Sequence, residues 1–193
     1  MQQANEISAQ AGADQVIVNA ATELIMEGGF SAMSMRSLAR KAGMQAGSLY
    51  YHFPSKVDVL EEVLDSLLQQ RLNDWLSIKI RGDDVITQLD AFVSFHVNRV
   101  LRYTKEEDLL MLELKNLNGA QRATIFAQDE LYTGELISII KQGVRSGIFR
   151  VTDAAVAARA LLGLLSGGAT RSDGLDGSVK ITLTQMSHRV LGM

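Results

Sequence analysis

One stretch constrains this chain more than any other: residues 33 to 56, which read MSMRSLARKAGMQAGSLYYHFPSK. Met35, Leu38, Ala39 and Ala42 fall at i, i+3, i+4 and i+7, so they make the apolar face of a short helix, and Ser34 stands where a hydroxyl caps its N-terminus. Gly43 follows the last apolar residue, at the position where a left-handed backbone costs glycine little, and Met44 covers the joint. A second helix starts near Gln45. Helix, glycine turn and helix in this order form a helix-turn-helix.

Wound at about 100° per residue, the second helix gathers Ala46, Leu49, Tyr50 and Phe53 on a side that packs, and Gln45, Gly47, Ser48, Tyr51 and His52 on a side that faces outward. Hydrogen-bonding tips around one glycine suit a helix that enters a major groove, where glycine allows close approach and the tips reach phosphates or base edges. Between Gly29 and Lys56 the charged residues are Arg36, Arg40, Lys41 and Lys56, with no acid among them. That is a local basic footprint.

These residues carry a resemblance. Ser34 to Ala39, Ala42-Gly43-Met44, the run Gly47 to Phe53 and Ser55-Lys56 resemble the DNA-binding domain of the tetracycline-repressor (TetR) family of bacterial regulators, as does the upstream helix with its Gly28-Gly29-Phe30 end. The motif covers about the first third of the chain; the remainder is similar in length and helical pattern. The resemblance implies an all-α protein of about nine helices, with a three-helix DNA-binding head over residues 1–55 and a larger helical ligand-binding and dimerisation domain over 56–193. It implies DNA contacts by Ser34, Arg36, Gln45, Ala46, Gly47, Ser48, Tyr50, Tyr51, His52 and Lys56, with Tyr51, His52 and Lys56 on phosphates and Gln45, Ala46 and Gly47 nearest the bases. Many members carry a serine or threonine where Met35 stands, and Ser34 is one place earlier. The short apolar Ala46 side chain fits a thymine methyl. Tyr50 lies on the packed side of the wheel.

The formal net charge of −3 confines any nucleic-acid surface to a local patch. With no cysteine and three scattered histidines, disulfides, thiolate chemistry and a metal centre are not expected, and no cofactor motif is present. The opening MQQANE lacks the basic start and apolar core of a signal peptide, and no later segment is long and uncharged enough for a membrane span, so a cytoplasmic protein is expected.

In chain order, the polar residues before Asp14 read as an arm. Ile17, Ala20, Ala21, Leu24 and Ile25 stripe a bracing helix, with Phe30 as a plug beyond Gly28-Gly29. Pro54 stops the recognition helix, and Ser55 with Asp58 caps a fourth helix that places Lys56 in its first turn. That helix carries Val57, Leu60, Leu64, Leu67, Arg71, Leu72 and Trp75 and is expected to reach Arg81, about 40 Å at the usual rise. A fifth helix from Asp84 to Tyr103 sets His96 within the stripe Leu89, Phe92, Val93 and Val100. Leu109 to Leu117 make a short apolar sixth helix, and Gln121 to Ser146 a seventh with Tyr132 in its apolar line. Two readings stand for His96 and Tyr132: hydrogen-bonded core residues, or polar anchors in an effector site that also includes Trp75 and Phe92. Arg99, Arg102, Lys105, Lys115 and Arg122 are likewise either a solvated surface or phosphate contacts for an acyl-coenzyme A ligand, whose responsive family members this region resembles.

The eighth helix, opened by Thr152 and Asp153, has a small side of Val156, Ala160, Gly163 and Gly167 and is apolar nearly all round, which in a chain this short calls for a second subunit. Residues 170–177 carry turn chemistry, and Val179, Leu183, Met186 and Val190 stripe a last helix. The resemblance pairs these two helices across a homodimer. An enzyme is not expected: Ser48 and His52 sit four apart, but no acid is placed to orient the imidazole and no oxyanion turn follows. The sequence therefore favours a dimeric transcriptional regulator, a repressor that binds a palindromic operator in double-stranded DNA and is released by a small, largely apolar effector. The competing reading is an architectural or partner-regulated DNA-binding protein with no small effector.

Overall fold

The computed structural model describes residues 2–80, 82, 84–170 and 177–193, without the side chains of residues 2–9, 11, 170 and 177. All regular structure among them is helical, as α1 (Gln2–Gly28), α2 (Met35–Lys41), α3 (Ala46–His52), α4 (Lys56–Ile78), α5 (Val85–Arg102), α6 (Thr104–Glu113), α7 (Gly119–Arg145), α8 (Ala154–Thr170) and α9 (Gly177–Val190). Short 3₁₀ turns, Phe30–Ala32 and Leu114–Asn116, follow α1 and α6. The expected arm is corrected, because the backbone is already helical from Gln2; its Gln, Ala and Glu residues favour helix and no proline interrupts them. α4 ends at Ile78, short of Arg81, which lies outside the described residues, as do Asp83 and residues 171–176 of the stretch expected to turn.

The chain divides into two compact units. The first holds residues 1–68 and 108–126, and its core joins Ile17, Ala21 and Ile25 to Leu38, Leu49, Phe53, Leu60 and Leu64. Phe30 is buried in that core, as its place beyond the glycine pair predicts. Gly43 takes φ +70°, where any side chain would be strained, and so allows the tight turn between α2 and α3.

The second unit holds residues 69–107 and 127–193. α5 packs against α8 and α9, and Phe92, Val93, Leu136, Ile140, Leu161 and Leu165 are fully buried. Asp84 caps α5 through the backbone N–H groups of Ile86 and Thr87, which its carboxylate accepts at 2.9 and 3.0 Å, and Asp153 caps α8 through Ala155 and Val156 at 2.8 and 3.0 Å. A Cβ on Gly143 would overlap the Phe149 ring, so only glycine lets that ring close on α7.

Candidate functional site: nucleic-acid interface and buried polar cluster

Ser34 does what its position predicts. Its Oγ accepts the Ser37 N–H at 3.1 Å while the Ser37 hydroxyl accepts the Ser34 N–H at 3.0 Å, a reciprocal capping box that starts α2. Leu38 and Ala39 are buried beneath it, and Arg36 and Arg40 are exposed.

α3 is anchored from below by Leu49, fully buried, and by Phe53 at its end. Its outward face is wider than the helical wheel allows. Gln45, Ala46, Gly47, Ser48, Tyr50 and Tyr51 are all exposed, so the assignment of Ala46 and Tyr50 to the packed side is corrected. The physical reason is length: a helix of two turns laid across a small core buries one residue per turn, not a full stripe.

Two expected outward groups turn inward. His52 is half-buried, with its Nδ1 2.7 Å from the Asp14 carboxylate of α1, so an acid does orient this imidazole, contrary to the reading of the sequence. No hydrogen bond joins it to Ser48 among the described residues. The Lys56 ammonium donates to the carbonyls of Phe30 and Met33, each at 3.4 Å, and lies 4.4 Å above the centre of the Phe30 ring. Lys41 pairs with Glu23 at 2.9 Å and Glu27 at 3.3 Å, and hydrogen bonding to Glu23 first holds its ammonium above the usual lysine range. The basic footprint therefore narrows to Arg36 and Arg40.

In the second unit, Trp75, Phe92, His96 and Tyr132 come together and all are buried. Trp75 meets Phe92 edge-on at 4.9 Å between ring centres, and Phe92 stacks on Tyr132 at 5.0 Å. His96 Nδ1 lies 3.1 Å from the Tyr132 hydroxyl and Nε2 lies 3.0 Å from the Ser166 hydroxyl, so both ring nitrogens have partners, as a neutral imidazole requires. Burial, reinforced by the positive charges of Arg71 and Arg99, pushes His96 down to about 3. Burial also pushes the Tyr132 phenol up.

Around these rings runs an ion-pair network that the sequence did not reveal. Arg99, expected either on a solvated surface or on a ligand phosphate, is buried; its Nη1 donates to Asp74 at 2.8 Å and its Nε to Glu107 at 3.0 Å. Arg71 donates to Asp129 and, at 3.5 Å, to Glu107, and its guanidinium lies 4.6 Å from the Tyr132 ring centre. The Trp75 indole N–H donates to Glu135 at 3.0 Å, and Lys79 pairs with the same carboxylate. One signal was available: Arg71 interrupts an apolar stripe at helical spacing, and Arg99 lies one turn beyond His96 on the same face.

The eighth helix exposes its small side, Val156, Ala160, Gly163 and Gly167. On α9, Met186 and Val190 are exposed, but Leu183 is buried and Val179 packs on the unit's own core, so the stripe expected for the last helix is divided between the core and the surface. Leu183 reaches so close to Gly168 that a Cβ there would lie 2.7 Å from it, so α8 and α9 meet within the chain at these two residues.

An outward polar helix in a helix-turn-helix, in a chain whose second unit is helical throughout its described residues, defines a helix-turn-helix DNA-binding regulator. Residues 17–63 match the family described as bacterial regulatory proteins of the tetR family, and residues 82–170 match the tetracycline repressor-like C-terminal domain. The chain belongs to the TetR family of bacterial transcriptional regulators. It is 28% identical over 148 residues to the HTH-type transcriptional repressor KstR2 of Rhodococcus jostii (strain RHA1), a match that spans 76% of this chain and 72% of the relative. A regulatory protein of the tetR family from Rhodococcus RHA1 superposes with a TM-score of 0.80 at 21% identity, covering 93% of this chain and 97% of that one. AibR, solved in complex with isovaleryl coenzyme A and operator DNA, gives a TM-score of 0.71 at 23% identity over 90% of this chain and 97% of its own. At these identities the two structures establish the shared fold. Among the described residues no helix is long and apolar enough to cross a membrane.

Proposed function

We propose that the chain is a transcriptional repressor that binds a palindromic operator as a homodimer and is released by a small, largely apolar effector. Residues 1–55 carry the DNA-reading function and 56–193 the effector and dimer functions. The observation that carries this reading is the outward face of α3, where Gln45, Ala46, Gly47, Ser48, Tyr50 and Tyr51 stand exposed over a buried Leu49. Arg36 beside them supplies charge for phosphate, and Ser34, His52 and Lys56 complete the contact set. The likeness to a repressor, KstR2, supports the direction of control. An acyl-coenzyme A thioester is one effector class to test, because AibR, a structural neighbour, was solved with isovaleryl coenzyme A.

The homodimer reading rests on the exposed ridge of Val156, Ala160, Gly163 and Gly167 with Met186 and Val190 beside it on α9. A two-fold dimer sets two recognition helices about one DNA turn, ~34 Å, apart. A Cβ on Gly163 meets nothing within 4 Å in its own chain, so Gly163→Leu should spare the monomer fold and weaken self-association. Sedimentation at micromolar concentration checks this, and a wild type that sediments as a monomer without DNA removes the dimer. The central test is selection of a binding site from random duplexes, followed by release with acyl-coenzyme A thioesters, fatty acids and aromatic acids. The close packing of Trp75, Phe92, Tyr132 and His96 favours a second reading, a regulator without a small effector, which prevails if the selected operator is held in the presence of every compound.

A further inference from the structure

Arg71 is 7% exposed, yet its Nε has no hydrogen-bond partner. The side-on edge of a guanidinium offers Nε–H and Nη2–H as a parallel pair that matches the two oxygens of a carboxylate. In this protein that edge is half used: Nη2 donates to Asp129, and Nε donates to nothing. Arg71's other carboxylate partner, Glu107, is fixed. It is 14% exposed along its side chain and also holds Arg99 at 3.0 Å, so moving it would take from a second buried cation one of its two carboxylates. Asp129 differs, because 45% of its side chain is in solvent and water can receive its charge if it leaves. The guanidinium lies against the Tyr132 ring, and Tyr132 stacks on Phe92, so apolar surface begins next to the charged edge.

We propose that Arg71 is the anchor for an organic carboxylate with an apolar body, which displaces Asp129 and spans Nε and Nη2 side-on. The exchange leaves the number of negative charges on Arg71 unchanged and supplies the bond that Nε lacks. It rests on the reading of the second unit as the effector-binding unit and narrows it to free acids rather than alcohols or thioesters, which have no carboxylate to present.

The test uses the full-length protein and titration calorimetry with octanoate and 4-phenylbutyrate, set against 1-octanol, 4-phenylbutanol and octanoyl-coenzyme A, with operator release followed by fluorescence anisotropy. The acids should bind more tightly than the alcohols. Asp129→Asn removes the competitor and keeps the shape, so it should tighten the acids roughly five- to tenfold, the equivalent of a partly exposed ion pair, and leave the alcohols unchanged. Arg71→Lys, which keeps the charge and loses the edge, should abolish the preference for acids; a variant that does not fold leaves the Asp129→Asn gain as the deciding measurement. If acids and alcohols bind alike, or Asp129→Asn leaves the acids unchanged, Arg71 is not the anchor, while release by the alcohols or the thioester still supports an effector-controlled repressor. If no compound binds the wild type, both readings fall.

Discussion

The outward face of α3 and the buried cluster around Tyr132 use the same kinds of side chain to opposite ends. On α3, Tyr50 and Tyr51 are 53% and 77% exposed, over one buried leucine. In the second unit, Tyr132 is 1% exposed and is engaged by His96, Phe92 and Arg71 at once. The two histidines make the same contrast. His52 meets a carboxylate at the edge of its unit, whereas His96 is sealed between two hydroxyls and kept neutral by burial. A polar group that stays in water is available to a partner, and one that is buried has been made into part of the fold unless a partner can replace its bonds. The difference is therefore energetic as well as positional: substitutions in the cluster should act on stability, and those on the reading face on DNA.

The largest effect tests the cluster. Arg99→Met leaves Glu107 with Arg71 alone and Asp74 to solvent and should cost about 2–3 kcal/mol in urea denaturation, whereas Arg40→Met on the exposed side of α2 should stay within about 0.5 kcal/mol. Equal costs would erase the contrast.

The next effect depends on pH. His96 titrates at about 3 in the folded protein and near 6.5 when unfolded, so between these values the unfolded chain binds more protons. Stability then rises with pH through that window, is fully present above 6.5, and is lost as pH falls toward 3. The contribution of this group approaches ~1.4 kcal/mol per pH unit, and His96→Leu should remove it from the slope of stability measured between pH 6.5 and 4.5.

The smallest effects lie on the reading face. Arg36→Ala should leave thermal stability nearly unchanged and flatten log K against log salt by about 0.9 for each protomer that loses a phosphate contact. Lys56→Ala removes an ammonium held on two carbonyls and a ring, so it should cost roughly 1 kcal/mol of stability and change the salt slope less than Arg36→Ala does. A larger change in slope for Lys56→Ala would return it to the front of the phosphate contacts.

How far these regions could be read in advance depended on the distance between the residues that make them. Ser34, Gly43, Asp84 and Asp153 act within three or four residues of themselves, and the caps and turn they predict are present. Their energetics are those of the local backbone. His52 pairs with Asp14 across 38 positions and Arg71 with Asp129 across 58, distances at which periodicity carries no information about partners. Leu183 shows the same limit, since one apolar stripe on α9 serves both the chain's own core and the surface, and the bare Gly168 backbone leaves the room that Leu183 fills.

By itself the sequence determined that the protein is helical, where the helix-turn-helix starts and turns, and the family to which it belongs, because those depend on caps, glycines and apolar spacing within a turn or two. Tertiary structure alone decided that Arg99 is a core residue, that Lys56 folds back on the chain, and that Ala46 and Tyr50 face outward. Burial depends on what covers a residue, and for a charge it further depends on whether a distant opposite charge arrives to offset the loss of water.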